Sequence, residues 1–185
     1  GNVTVFGGDN DDTTTISGGN VTVFGGEGLD DTTVNGGNVT VFGGDGIDDT
    51  TVTGGSVSVF GGGADDLTDV SGGSVTVFGG DGDDDTTVSG TTTQVTVFGG
   101  DGIDETTIAG GTGGVTVFGG DGADTTEVTG SVTVFGGAGA DGDDAVMTQG
   151  GNVTVFGGDG DDQTDVAAGN VTVFGGAGID DTDVT

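Results

Sequence analysis

An aspartate returns at one place all along this chain: Asp12, Asp30, Asp48, Asp66, Asp84, Asp104, Asp124, Asp144, Asp162 and Asp180. Asp144 follows a local insertion, and Asp141 is the other candidate at that step. Carboxylates serve as general acids and bases or as hard oxygen ligands for cations. A pair of them can cleave a glycoside. Carboxylates that recur with a period close to 18 residues form a regular column without a distinctive pocket, so no catalytic residue and no enzyme is expected. Cation binding is the chemistry left.

Other chemistries fall away by composition. The chain has no Cys, which removes disulfides, thiolate nucleophiles and the usual zinc sites. It has no His or Lys, which removes triads, Schiff bases and imidazole ligands. With no basic residue and a formal charge of -32, it repels phosphate backbones and anionic membrane surfaces, so neither nucleic acid nor membrane is an expected partner. No apolar run approaches the ~20 residues of a membrane span.

The elements that must position the aspartates are set by the same period. All ten Phe lie in V-[TS]-V-F-G-G, at Phe6, Phe24, Phe42, Phe60, Phe78, Phe98, Phe118, Phe135, Phe156 and Phe174, spaced by 18, 18, 18, 18, 20, 20, 17, 21 and 18. One unit reads G-G-D-G-I-D-D-T-T-V-T-G-G-S-V-S-V-F from Gly43 to Phe60, numbered 1 to 18, with the recurrent Asp at position 6. T-T-V and V-T-V-F alternate like half-buried strands, each after a Gly-rich turn, and nothing recurs at the helical period. Eighteen residues are too few for a domain, so each unit reads as one flat coil with two short strands. The expected fold is all-β: residues 1–185 as a single parallel β-solenoid, or β-roll, of about ten 18-residue coils. At roughly 4.8 Å per coil the stack is about 45–50 Å long. Extra residues near 91–94 and 111–114, and one lost before Ser131, fall at the second turn, where a bulge leaves the ladder undisturbed.

Stacking brings the position-6 carboxylates about 5 Å apart, where two unit charges repel by roughly 0.8 kcal/mol in water and about 3 at an effective dielectric of 20. Repeated along the column, this exceeds what a small Gly-rich core supplies. Protons neutralise it only well below neutral pH, given an Asp reference pKa of about 3.9. Hard divalent cations fit better, because Gly-rich turns offer carbonyl oxygens beside the carboxylates. Gly at positions 1, 2 and 4 is expected to permit positive φ.

The turns G-G-D-G-I-D (43–48), G-G-D-G-D-D (79–84 and 157–162), G-G-D-G-A-D (119–124) and G-G-A-G-I-D (175–180) resemble the first six positions of the G-G-x-G-x-D-x-U-x nonapeptide of the RTX, or repeats-in-toxin, family. The resemblance covers essentially the whole chain. It implies a secreted, extracellular, calcium-stabilised parallel β-roll that is disordered without the ion. It further implies that the ten position-6 aspartates bind Ca2+ between neighbouring coils together with turn carbonyls. About nine such ions would lower the charge from -32 to roughly -14. The second turn, G-G-N or G-G-S, carries no regular Asp, so ions are expected along one edge only, a one-sided layout similar to repeats of surface-layer proteins and large bacterial adhesins. Asn10 and Ala64 replace the position-4 Gly.

With the Asp at unit position 6 facing inward, alternation places the Thr at position 8 and the Val at position 10 inside, and the resemblance implies that the Val at positions 15 and 17 also face inward. The Asn or Ser at position 14, the Thr at position 16 and the Phe at position 18 then face outward. An outward Phe stripe is expected to be buried against another copy or another part of the chain, the alternative being that it caps the core at the corner. N-V-T at Asn2, Asn20, Asn38, Asn152 and Asn170 is formally a glycosylation sequon, but a turn role suits Asn better. The chain opens and closes within a repeat, so a segment of a longer array, or a unit stacking end to end, is expected. The leading functional expectation is an extracellular structural repeat protein of a filament, surface layer or adhesin stalk. Alternatives are an accessory β-roll of a secreted enzyme or toxin, and an ice- or mineral-binding solenoid, which thermal hysteresis would distinguish.

Overall fold

Short runs of Thr and Val separated by Gly leave the chain little choice but extended backbone. The structure, a computed structural model, describes residues 1–185 apart from positions 91, 111, 112 and 139–143. Among the described residues every regular element is a β-strand, and the strands join in one wound sheet. Each coil contributes a longer strand such as Asn38–Asp45 and a shorter one such as Asp31–Asn35. Each strand pairs in parallel with its copies in neighbouring coils, like upon like: Val21 with Val39, Phe24 with Phe42, Thr32 with Thr50. The fold is a parallel β-solenoid of about ten coils.

The irregular steps leave this ladder intact. Val75 pairs with Val95, Val95 with Val115, Val115 with Val132 and Val132 with Val153. The additions near 91–94 and 111–114 and the deletion before Ser131 fall between a shorter strand and the longer strand that follows it, at the second turn. In the coil with the insertion, Thr125 pairs with Ala145, which puts Asp144 at position 6. Asp141 lies outside the described residues.

Two expectations about the turns need correction. The Gly-Gly pair after Phe is not turn but strand: the longer strand runs through it to position 3, leaving only the next few residues to reverse the chain. In two coils the strand also passes the second corner without a break, over Asp49–Gly63 and Leu67–Asp81. Positive φ occurs at positions 2 and 4, as at Gly44 (130°) and Gly46 (128°), but not at the position-1 glycines. At Gly44 a Cβ would stand 2.1 Å from the Gly26 carbonyl oxygen, so Gly here also permits close stacking of coils.

The interior follows the expected alternation. Val at positions 10, 15 and 17 forms one continuous core, with Val34, Val52, Val59 and Val70 fully enclosed. Thr at position 8 is buried beside it, as at Thr50 and Thr86. In the coil after the insertion the two types exchange places, Val146 at position 8 and Thr148 at position 10, both buried.

The Phe at position 18 points outward and takes no part in this core. The ten rings stack along the axis with centroids 4.7–4.9 Å apart and planes within 1–9° of parallel. The first and last rings, Phe6 and Phe174, are 73% and 54% exposed, whereas the rings between them are half-buried. The burial of each inner ring therefore comes largely from its neighbours in the stack. The position-14 asparagines start strands rather than turns and form amide ladders, Asn20 Nδ2 donating to Asn2 Oδ1 and Asn170 Nδ2 to Asn152 Oδ1.

Candidate metal column

The turn delivers the position-6 Asp side chain into the interior at one edge of the coil. Asp30, Asp48, Asp66, Asp84, Asp104, Asp124, Asp144 and Asp162 are all buried; Asp12 in the first coil is half-buried and Asp180 in the last is exposed. All ten stand in one column, linked by a repeated hydrogen bond. The Asp12 amide donates to Asp30 Oδ1 and the Asp30 amide to Asp48 Oδ1, both at 2.9 Å. The series continues through Asp66, Asp84, Asp104, Asp124, Asp144 and Asp162 to Asp180, with distances between 2.8 and 3.4 Å. The Asp carbonyl continues the sheet ladder, accepting from the position-7 amide one coil on, as Asp30 does from Asp49 at 2.8 Å.

From Asp30 to Asp124 the second carboxylate oxygen has no such bond. Oδ2 of Asp30, Asp48, Asp66, Asp84, Asp104 and Asp124 is buried without a hydrogen-bond partner. It lies against the position-1 Gly of its own coil: a Cβ on Gly43 would stand 2.4 Å from Asp48 Oδ2 and 2.5 Å from the Gly61 carbonyl oxygen of the next coil. The same two oxygens converge at Gly25, Gly61, Gly79, Gly99 and Gly119, with equivalent distances of 2.2–2.5 Å. Position 1 is therefore Gly for space. A side chain there would occupy the place of the carboxylate.

Burial pushes the Asp66 carboxyl up to about 7. The amide of Asp48 opposes that shift, and the neighbouring carboxylates of Asp84, Asp48 and Asp65 add to it. Asp84, Asp104 and Asp124 rise to about 6, again chiefly through burial, and Asp48 shifts in the same direction. An unpartnered anionic oxygen in an apolar setting favours whatever can neutralise it.

A hard cation suits the donor chemistry of the column. The donors are all oxygens: a buried carboxylate oxygen with unused capacity and, close to it, the strand carbonyl of the position-1 Gly of the next coil. Among the described residues no three acidic side chains gather at one point, so carboxylates alone do not close a coordination shell.

A second carboxylate ladder was not legible in the sequence. At the described residues where position 5 is Asp, its Oδ1 accepts the position-5 amide of the following coil: Asp11 from Leu29 at 3.0 Å, Asp65 from Asp83 at 2.9 Å, Asp83 from Ile103 at 2.8 Å and Asp161 from Ile179 at 2.7 Å. These carboxylates are exposed and point the opposite way along the axis from those at position 6. The available signal was an Asp immediately before the recurrent one, masked by Ile, Leu and Ala in other coils.

No family model matches this chain, and no curated protein or solved structure matches it either.

Proposed function

We propose that this chain is an extracellular, calcium-stabilised structural repeat protein that belongs to a filament, surface layer or adhesin stalk. One observation carries the reading: a column of buried carboxylate oxygens without hydrogen-bond partners, in a chain with no cationic side chain. Calcium would supply positive charge between consecutive coils. Asp12, Asp30, Asp48, Asp66, Asp84, Asp104, Asp124, Asp144, Asp162 and Asp180 would hold it, with carbonyls such as those of Gly43 and Gly61. The resemblance of the turns to RTX nonapeptides supports both calcium and export. The uniform repeats support a structural role over an accessory one. Self-association, end to end or side by side, follows from that role.

Circular dichroism with and without EGTA tests the metal. Millimolar calcium is expected to give a β spectrum that chelation converts to a disordered one. A spectrum indifferent to chelator removes calcium from the account. Negative-stain microscopy of the calcium form is expected to show fibres or sheets.

A further inference from the structure

The outward side of the longer strand carries no charge in any coil. Position 14 is Asn, Ser, Gln or Gly, position 16 Thr or Ser, position 18 Phe, and position 2 Gly. The other outward side is acidic at positions 7 and 9, with Asp31, Asp49, Asp69, Asp85, Glu105 and Glu127 among its residues. The turn edge is acidic too. A chain with 32 acidic residues thus keeps one whole sheet face neutral.

The relief of that face narrows its partner. The Phe rings lie 4.7–4.9 Å apart and nearly parallel, so their faces are covered by one another and only their edges reach outward. The inner rings therefore offer no face to a sugar. What they form is an apolar ridge, flanked by a row of Thr methyl and hydroxyl groups on one side and a Cα-only Gly trough on the other. Such relief packs against an apolar sheet face.

We propose that the occupant is a second copy of this chain, the two solenoids pairing through their neutral faces. This rests on the structural reading above and names its contact. Charge selects the partner's orientation: two molecules of formal charge -32 repel wherever their acids meet, and of the two sheet faces only this one brings no acid between them. Area is sufficient. Four outward positions at about 3.3 Å per residue span about 20 Å, and over a stack of about 45 Å they cover about 900 Å² per copy. Two copies then bury about 1,800 Å², the size of a stable specific interface.

The test is sedimentation velocity on the full chain, in the buffer in which circular dichroism shows it folded. The expected species has about twice the 17.4 kDa mass of one chain, and it tightens as NaCl rises and screens the acids. Thr76→Asp/Thr96→Asp/Thr116→Asp, three charges in the middle of the neutral face, is expected to weaken pairing at least tenfold. Thr87→Asp/Thr107→Asp on the acidic face is expected to leave it unchanged. The chain has no Cys, so pyrene on a single Thr96→Cys gives a second readout that needs no disruptive change. It should show excimer emission, while pyrene on Thr107→Cys should not. A folded chain that remains monomeric at ~100 µM, or one in which both sets of Asp substitutions act alike, overturns the proposal. Pairing is measured on whichever folded form dichroism identifies, so insensitivity to chelator would defeat the calcium reading and still leave pairing decided on its own evidence.

Discussion

Gly79 and Asp84 share one small volume: a Cβ on Gly79 would stand 2.3 Å from Asp84 Oδ2 and 2.5 Å from the Gly99 carbonyl oxygen. One of those obstacles is backbone, which cannot swing aside. Gly79→Ala is therefore expected to destabilise the folded form by about 1–3 kcal/mol or more, read from urea or thermal unfolding. Ala64 presents the opposite case. It takes the position-4 corner at φ 78°, and Asn10 does so at 88°, whereas glycines at that position sit at 124–154°. A side chain is barred from the wider angles, so these two turns relax into the left-handed helical region, which Asn tolerates better than Ala. Ala64→Gly is expected to raise stability by about 1 kcal/mol in the same assay. The glycines were plain in the sequence, but their separate reasons were not. A positive φ is a local property that turn chemistry suggests, whereas the Gly79 contact depends on which residue the returning strand places opposite, and that is known only once the register is fixed.

At the level of the element, the stacked Phe column is a ladder whose rungs differ in worth. An inner ring such as Phe98 meets partners on both faces, at 4.7 and 4.8 Å, while Phe6 meets one and is 73% exposed. Aromatic pairs contribute roughly 0.5–1.5 kcal/mol each beyond their area. Phe98→Ala is thus expected to cost about 2–3 kcal/mol in denaturant unfolding, and Phe6→Ala less than half of that. Equal losses would show that the rings matter only as strand residues. The alternation of Val, Thr and Phe made this outward direction legible, because period 2 ties the face of Phe to that of the two valines before it. The strand's passage through Gly-Gly was not legible. Propensity assigns such pairs to turns, and here the paired ladder on both sides overrides it. The position-5 Asp ladder escaped for a related reason: it joins different coils, and only some coils contain the residue.

Over the whole molecule the decisive quantity is charge, -32 with no compensating cation in the chain. Without divalent ions the column must find protons. For Asp66, Asp84, Asp104 and Asp124 the folded-state values, about 7 for the first and about 6 for the others, lie above the 3.8 of an unperturbed Asp. The folded form therefore binds protons more tightly than the unfolded one. Its stability from these groups is full below about pH 4 and is lost as pH rises through about 6–7. In EGTA, β structure followed by dichroism is expected to appear on acidification from pH 7.5 to about 4 and to vanish on return. A chelated chain whose spectrum is flat across that range would show that the column does not govern folding. The overall architecture was the most legible feature of all, since a period that fixes one coil fixes every coil. The hydrogen-bond sense of the column was not, because nothing in the order of residues says whether an amide reaches forward or backward. It reaches forward: each Asp amide meets the carboxylate of the coil that follows, as Asp48 meets Asp66 at 2.8 Å. The column accordingly has a head and a tail. A coil laid down on the carboxyl-terminal side needs only to bring an acceptor to a donor already held in place, so winding in the order of synthesis completes each rung as its turn closes.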